Sequence, residues 1–388
     1  MSPTSGGVLM AVAEHALRDD GGERWPVIAG IPYLRVGREA LIGRMLRRLD
    51  DGDEHGALLL ALADQDDWDE SPAPRRSECD AASRASTLRA AMERLGFGPV
   101  GTYLAYRWSD PTFVSGLGLL DAATRDACRV FELGCGAGHF LRELRTRGIA
   151  AVGGDVVFAK LWLARRFVAP DAELVCFDAA APFPAADASA DLCLCHDALH
   201  YLPDCEHAVA EMRRIGGRVL VGHAHNAAVA NLSPGAPLAV AEYAALAPDA
   251  EFYDDAALAR AATWGLAAAP IRAEQLADVA AVAFVTPAPC APTPTPTPTA
   301  TRGAFSVPPL GARLRLNPLL SAEPGEPASV SVRWPSPRYE QEYAALSDYL
   351  RDVPPLPRSL LDACRFGADA RVDELARRRV LLDLPEAW

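Results

Sequence analysis

The chain has 388 residues, half of them hydrophobic, which is enough for one large or two ordinary domains with a sizeable core. Its formal net charge of −13 argues against a broad phosphate-binding surface, because nucleic-acid affinity rests mainly on basic residues. The nine cysteines form no C-x-x-C pair, which indicates a reducing compartment and no zinc site. We find no signal peptide and no apolar run long enough to span a bilayer, so we expect a cytoplasmic protein that is not bound to a membrane.

The first region, residues 1–75, combines a short strand pair with helices. Residues 25–34 read as a strand, a glycine turn and a second strand. Residues 38–49 and 56–62 have apolar side chains at helical spacing. The proline-rich segment 71–75 ends the region as a linker, and we interpret the whole as a helical lid or a docking element.

An aromatic and arginine-rich segment precedes the central part of the chain. After a predicted helix at 80–95, residues 101–113 contain Tyr103, Arg107 and Trp108. The guanidinium group of an arginine can bind a carboxylate with two parallel hydrogen bonds. The alternative is that both aromatic residues belong to the core and that Arg107 caps a helix.

The central part of the chain alternates regularly between strands and helices. This alternation predicts right-handed crossovers and a parallel sheet that is covered by helices on both faces. Ligands of such sheets bind at the carboxyl ends of the strands. The predicted strands span 128–133, 149–154, 174–177, 192–195 and 218–221.

A glycine loop follows the first of these strands. Gly134, Gly136 and Gly138 form G-x-G-x-G, and His139 stands where a dinucleotide fingerprint needs its third glycine. A strand that turns through glycines into a helix brings backbone N–H groups together, which suits a nucleotide-like ligand. Asp155, at the end of the second strand, can accept both ribose hydroxyls, although an NAD enzyme would use the same arrangement.

Two segments together resemble the class I S-adenosylmethionine-dependent methyltransferases of the methyltransferase type 11 kind. The acid-led E-x-G-x-G-x-G at 132–138 resembles their motif I, and residues 187–202 resemble their D-G-S-F-D-L-V-x-x-x-x-x-L-H-H-L segment. The resemblance implies an α/β fold with a Rossmann-like seven-stranded sheet and S-adenosyl-L-methionine as cofactor.

The resemblance also implies which residues bind the cofactor. Asp178 would bind the adenine amino group, and Tyr103 or Arg107 would bind the methionine carboxylate. The expected cofactor-binding residues are Tyr103, Arg107, Glu132, Gly134, Cys135, Gly136, Gly138, Asp155, Val156, Asp178, Ala179 and His196.

A second resemblance concerns the first region. Residues 25–34 resemble the FPI-x-x-GIP end of small Trm112-like zinc ribbons, which often accompany methyltransferases. The cysteines of such a ribbon are absent from this chain, so the resemblance does not imply a metal.

Histidines gather at the expected catalytic edge. Because histidine is the usual base near neutral pH, our candidate catalytic residues are His200, Tyr201, His223 and His225. Any one of these histidines could instead be a packing residue. His196, His200, His223 and His225 could, together with Asp197, supply enough ligands for a metal ion. Metal-dependent catechol-type methyltransferases, however, have carboxylate-rich sites. We therefore predict no metal here.

The remaining segments suggest a core domain followed by an accessory region. We predict helices at 240–246 and 255–263, a sixth strand of the sheet at 279–286 and a seventh at 311–316, then a strand at 329–334 and a helix at 340–350. A Thr-Pro repeat reads as an extended linker or loop. The expected divisions are 1–75, the methyltransferase core 76–286, the linker 287–303 and a C-terminal accessory region 304–388.

Three functions remain open from the sequence. The first is methylation of a small molecule, at oxygen before nitrogen or carbon, in a biosynthetic pathway. The second is methylation of RNA or a peptide docked through the first region; the absence of (D/N)-P-P-(Y/F) after the fourth strand makes nucleic-acid base-amino methylation unlikely. The third is a non-catalytic cofactor-binding partner protein. The sequence leaves the methyl acceptor and the oligomeric state open.

Overall fold

The computed structural model describes residues 1–65, 72–124, 127–233, 235–266, 268–287, 303–362 and 364–388. The predicted Thr-Pro linker therefore lies almost wholly outside the described residues. The chain divides into two units, which are treated one after the other below. The first comprises Met1–Gly101, Ala127–Val219 and Ala387–Trp388, and the second Thr102–Asp126 and Leu220–Glu386.

The strands are short, and most alternate with helices. They are β1 Met10–Ala13, β2 Ala16–Arg18, β3 Arg24–Ile28, β4 Ile31–Pro32, β5 Arg129–Leu133, β6 Ala150–Asp155, β7 Glu173–Cys176, β8 Leu192–His196, β9 Arg218–His225, β10 Glu251–Asp254, β11 Ala281–Val285, β12 Arg313–Leu316, β13 Leu320–Ala322, β14 Val330–Val332, β15 Cys364–Arg365 and β16 Leu381–Leu382.

The α-helices of the described residues are also mostly short. They are α1 Glu39–Asp50, α2 Glu54–Ala63, α3 Arg76–Ser83, α4 Leu88–Arg94, α5 Gly98–Tyr106, α6 Pro111–Ala123, α7 His139–Arg145, α8 Phe158–Leu163, α9 Cys205–Gly216, α10 Val240–Leu246, α11 Asp255–Trp264, α12 Pro337–Tyr343, α13 Ser359–Asp362 and α14 Ala370–Arg377. Among them, none combines the length and apolar character that a membrane crossing needs.

Seven strands form one mostly parallel sheet in the order β10-β11-β9-β8-β5-β6-β7. This arrangement confirms the predicted α/β class with a Rossmann-like seven-stranded sheet. It corrects the assignment of the last two strands. The predicted sixth strand, β11, is antiparallel and lies between β9 and β10, so it is the seventh strand in the family's order, and β10 is the sixth.

The first unit holds the parallel core and the first region. β8, β5, β6 and β7 pair in parallel, and their side chains are mostly apolar because α7, α8 and α9 cover the sheet. In the first region, β1 to β4 form an antiparallel sheet. Tyr33, just after β4, forms a parallel bridge to Cys176 of β7. The first region therefore continues the core sheet at its β7 edge.

The second unit holds the antiparallel strands and the C-terminal region. β9, β11 and β10 pair antiparallel. The segment that we predicted as the seventh strand of the core sheet, β12, pairs instead with β15 and β16 in a separate three-stranded sheet. The sequence around β12 could not show this pairing, because its partner strands lie about 50 and 66 residues further along the chain. Around these strands Leu314, Tyr349 and Leu375 belong to one apolar cluster.

Two glycine-to-alanine substitutions in the first unit should change stability in opposite directions. At Gly216, the last residue of α9, a Cβ would lie 2.7 Å from the backbone nitrogen of Cys193, so Gly216→Ala should destabilise the unit by about 1–3 kcal/mol. At Gly43, within α1, a Cβ would meet only the flexible end of Arg47 at 3.5 Å. Gly43→Ala should therefore stabilise it by about 0.5–1 kcal/mol. Urea unfolding measures both, and midpoint shifts of the same sign would contradict the packing described for α9.

Candidate active site

The glycine loop after β5 requires glycine for reasons of backbone conformation and space. Gly134, Gly136 and Gly138 have φ angles of 67°, 53° and 80°, which residues with a side chain rarely adopt. A Cβ on Gly134 would lie 2.6 Å from the Cβ of Ala198, and one on Gly138 would lie 2.9 Å from the Cβ of Ala164. The three predicted glycines thus form a tight turn that leaves backbone, rather than side chains, at the carboxyl end of β5.

Asp155 ties this loop to the neighbouring strand. Its Oδ2 accepts a hydrogen bond of 2.9 Å from the backbone N–H of Gly136, and its Oδ1 accepts one of 2.9 Å from that of Val157. The side chain is buried at the end of β6. Because each carboxylate oxygen has a second lone pair, Asp155 can still accept hydroxyl groups of a ligand.

The residues predicted for the adenine side follow β6 and β7. Val156 is half-buried and Ala179 is buried. Asp178 accepts a hydrogen bond of 2.9 Å at Oδ1 from the backbone N–H of Ala180, which fixes its orientation. The backbone N–H of Phe177 donates to the carbonyl of Asp155. The structure therefore brings Val156, Asp178 and Ala179 to the same edge as the glycine loop.

Glu132 and Cys135 are both buried beside the loop. Burial raises the pKa of the Cys135 thiol well above its ordinary value, and the negative charges of Glu132 and Asp155 raise it further. The thiol is therefore protonated at neutral pH and lines the site as a small apolar group. Together with Leu141, Cys135 also explains Gly153, where a Cβ would lie 2.5 Å from Cδ1 of Leu141 and 2.8 Å from the sulfur of Cys135.

Three candidate residues lie at the end of β8. His196 is buried, and its ring packs edge-on against Phe140 at 4.7 Å between centroids. His200 is 1% exposed, whereas the neighbouring Tyr201 is 43% exposed. The Nε2 atom of His200 lies 4.0 Å from Oδ1 of Asp197, beyond hydrogen-bond distance. The buried His200 can act only on a ligand that enters this edge, while Tyr201 is open to solvent.

In the second unit, β9 runs further than predicted and includes His223 and His225. The pairing register with β11 shifts between Val282 and Phe284, which marks a β-bulge. His223 lies in this bulge with φ at 48°, a left-handed conformation that is rare for a residue with a side chain. Such conformations concentrate at functional sites, and bulges change the direction in which a side chain points.

The bulge places His223 against a carboxylate that the sequence analysis missed. Nδ1 of His223 lies 2.8 Å from Oδ2 of Asp255, and both side chains are buried. The ring of His225 packs at 4.8 Å from that of His223. Asp255 is the first residue of α11, and Asp254 before it caps the helix by accepting from the N–H of Ala256. The sequence shows two adjacent acids at a helix start and does not reveal which of them contacts a histidine.

Tyr103 and Arg107 also lie in the second unit. The Arg107 guanidinium is buried, stands 4.7 Å from the centre of the Tyr103 ring, and is 3.3 Å from Oδ1 of Asp110. Asp110 in turn caps α6 by accepting from the N–H of Phe113. These contacts agree with the alternative interpretation, in which Arg107 supports the end of a helix. Its binding of a methionine carboxylate stays a prediction.

Comparison with known proteins identifies the domain. Residues 131–221 match the model of a family described as a methyltransferase domain. These residues of the chain therefore form a methyltransferase domain. Its cofactor is S-adenosyl-L-methionine. The site fits this cofactor, because the glycine turn has no side chains that would occupy the space and Asp155 offers carboxylate oxygens as acceptors. No curated protein sequence matches the chain.

Several solved structures resemble part of the chain at low sequence identity. A chain from the complex between the Haloferax volcanii Trm112 methyltransferase activator and a methyltransferase is 22% identical; the match covers 38% of this chain and 68% of that one, with a TM-score of 0.32. A methyltransferase from Thermotoga maritima is 16% identical, with coverages of 50% and 96% and a TM-score of 0.36. An amino pentose methyltransferase from Micromonospora echinaspora, CalS10, is 26% identical, with coverages of 30% and 53% and a TM-score of 0.26. The family match, and not these structures, identifies the domain.

Replacing Asp155 by alanine should weaken binding of S-adenosylmethionine by roughly tenfold or more, because acceptors for the ribose and the brace of the glycine loop are lost together. Calorimetric titration with the cofactor measures this. Asp191 is a matched control, since its Oδ2 accepts two backbone N–H groups, from Cys128 and Arg129, at the opposite end of β5. Asp191→Ala should leave the dissociation constant unchanged, and equal losses in both variants would argue against a specific role of Asp155.

Proposed function

We propose that this methyltransferase methylates a small molecule at a hydroxyl oxygen, with His223 as the general base and Asp255 as the residue that orients it. The observation that carries the proposal is the buried contact of 2.8 Å between Nδ1 of His223 and Asp255. A carboxylate only accepts hydrogen bonds, so Nδ1–H is the donor and Nε2 is the basic atom of the imidazole.

The proposed roles follow from the chemistry of methyl transfer. When bound, the cofactor supplies an electrophilic methyl group on a positively charged sulfur. His223 would take the proton of the acceptor hydroxyl at Nε2. The hydroxyl oxygen would then bond to the methyl carbon as the carbon–sulfur bond breaks and its electron pair goes to the sulfur, which loses its positive charge. Asp255 stabilises the imidazolium that results, as carboxylates do in other histidine-based sites. In the first unit Gly134, Gly136, Gly138 and Asp155 would hold the cofactor, with Asp178 at the adenine.

The other predicted candidates take secondary roles in this proposal. The base is assigned to His223 and not to His200, because only His223 of these two contacts a carboxylate at hydrogen-bond distance. His200, His225 and Tyr201 would then contact the substrate. A small acceptor agrees with the net charge of −13, which disfavours a long phosphate backbone as substrate. An RNA or peptide acceptor and a non-catalytic partner protein are the competing functions.

Replacing His223 by glutamine should lower kcat by roughly 100- to 10,000-fold and leave cofactor affinity unchanged, because the base is lost while the cofactor site remains intact. Asp255→Asn should also lower kcat, because the imidazole loses the acceptor that orients it and that stabilises its protonated form during the reaction. Steady-state kinetics would measure both effects.

A matched histidine serves as the control for these variants. His15 also contacts a carboxylate, Asp50, at 3.3 Å, but it lies in the exposed part of the first region. His15→Gln should keep the wild-type kcat. If His200→Gln abolished turnover while His223→Gln kept it, the assignment of the base would move to His200.

The class of acceptor can be determined with methyl-labelled S-adenosylmethionine. The protein is incubated with a cell extract, which is then separated into small molecules, RNA and protein, and labelled compounds are identified by mass spectrometry. We expect the label among small molecules, as a methyl ether. Label in RNA or protein would favour the second function, and cofactor binding without labelling of any fraction would favour the third.

A further inference from the structure

The first region contacts the cofactor-binding sheet along β7, the strand that leads to the expected adenine position. Tyr33 bridges to Cys176 in parallel, and the N–H of Leu34 donates a hydrogen bond of 2.7 Å to the carbonyl of Cys176. The two bridged segments run in the same direction. Two residues past the bridge, Arg35 therefore lies at the register position of Asp178. By this register, the first region lies beside the segment that leads to the residue expected to bind adenine.

One carboxylate fixes the segment that follows. Asp64 accepts a hydrogen bond from the Tyr33 hydroxyl and one of 2.8 Å from Nη1 of Arg35, and Nε of Arg38 lies 3.3 Å from its other oxygen. Burial raises the pKa of Tyr33 well above its ordinary value, so the phenol keeps its proton and donates. Residues 35–38 are therefore anchored at both ends to Asp64.

Between the two anchored arginines, an apolar side chain points outward. Val36 is 40% exposed. Single exposed valines are common and by themselves need no explanation. Here, however, the valine lies on a doubly anchored segment, one residue from the register position of Asp178. A flat aromatic base at that edge would bury the exposed part of its side chain.

We propose that Val36 packs against the adenine ring of S-adenosylmethionine, and that Asp64 is the positioning residue that holds Val36 there through Arg35 and Arg38. The first region would then be a wall of the cofactor site. The proposal rests on the cofactor assignment made above and does not depend on the identity of the acceptor.

The test compares two valines of the first region with equal exposure. Val36 and Val12 are both 40% exposed, and Val12 lies on the edge strand β1. Val36→Asp should weaken binding of S-adenosylhomocysteine roughly tenfold, because a charged group replaces an apolar contact. Val12→Asp should not change it. Titration with 5′-methylthioadenosine, which keeps the adenine but lacks the amino acid, should show the same ratio for Val36→Asp.

The positioning role is tested with Asp64→Asn and Asp50→Asn, since Asp50 accepts hydrogen bonds from Arg24 in the same region. Asp64→Asn should weaken both ligands by the same factor, and Asp50→Asn should weaken neither. Unchanged affinities in Val36→Asp and Asp64→Asn, or a Val36→Asp effect on S-adenosylhomocysteine alone, would overturn the inference. Absence of binding to the wild-type protein would instead overturn the cofactor assignment, and the inference with it.

Discussion

The carboxylate of Asp155 is the constraint on which the cofactor site depends. It accepts backbone N–H groups from two segments, Gly136 in the glycine loop and Val157 after β6. The loop can come this close only because its glycines adopt positive φ angles and lack side chains. The same carboxylate is the one expected to bind ribose, so the shape of the loop and ligand binding depend on a single side chain.

Two residues that carry side chains adopt the left-handed backbone conformation near the ends of the consecutive strands β8 and β9. Asp197 follows β8 with φ at 54°, and His223 lies in the bulge of β9 with φ at 48°. Such backbone conformations cost free energy, of order 1–3 kcal/mol each, and persist where the surroundings impose them. For His223 the surrounding structure includes the buried contact with Asp255, which is why we assign the base to this residue.

The sequence predicted local features well and pairings between distant segments poorly. The alternation from β5 to β9, the glycine loop and the acids at strand ends were recognised from periodicity and from spacing. β10 was not predicted, and the places assigned to β11 and β12 in the core sheet were wrong, because pairing partners distant in the chain leave no local pattern. Asp255 was missed for the same reason, since its contact with His223 joins residues 32 positions apart. The Trm112-like nature of the first region stays a resemblance, although its pairing with β7 is now described.

The sequence by itself indicated the α/β class through its alternation of strands and helices. Its short motifs, whose residues are close together in the chain, indicated a methyltransferase domain and its cofactor. Only the tertiary structure decided what those residues contact. It showed that Asp155 braces the loop, that Arg107 is paired with Asp110, and that one carboxylate, Asp64, anchors residues 35–38. The physical reason is that a side chain's role depends on which groups fold against it, and those groups come from distant parts of the chain.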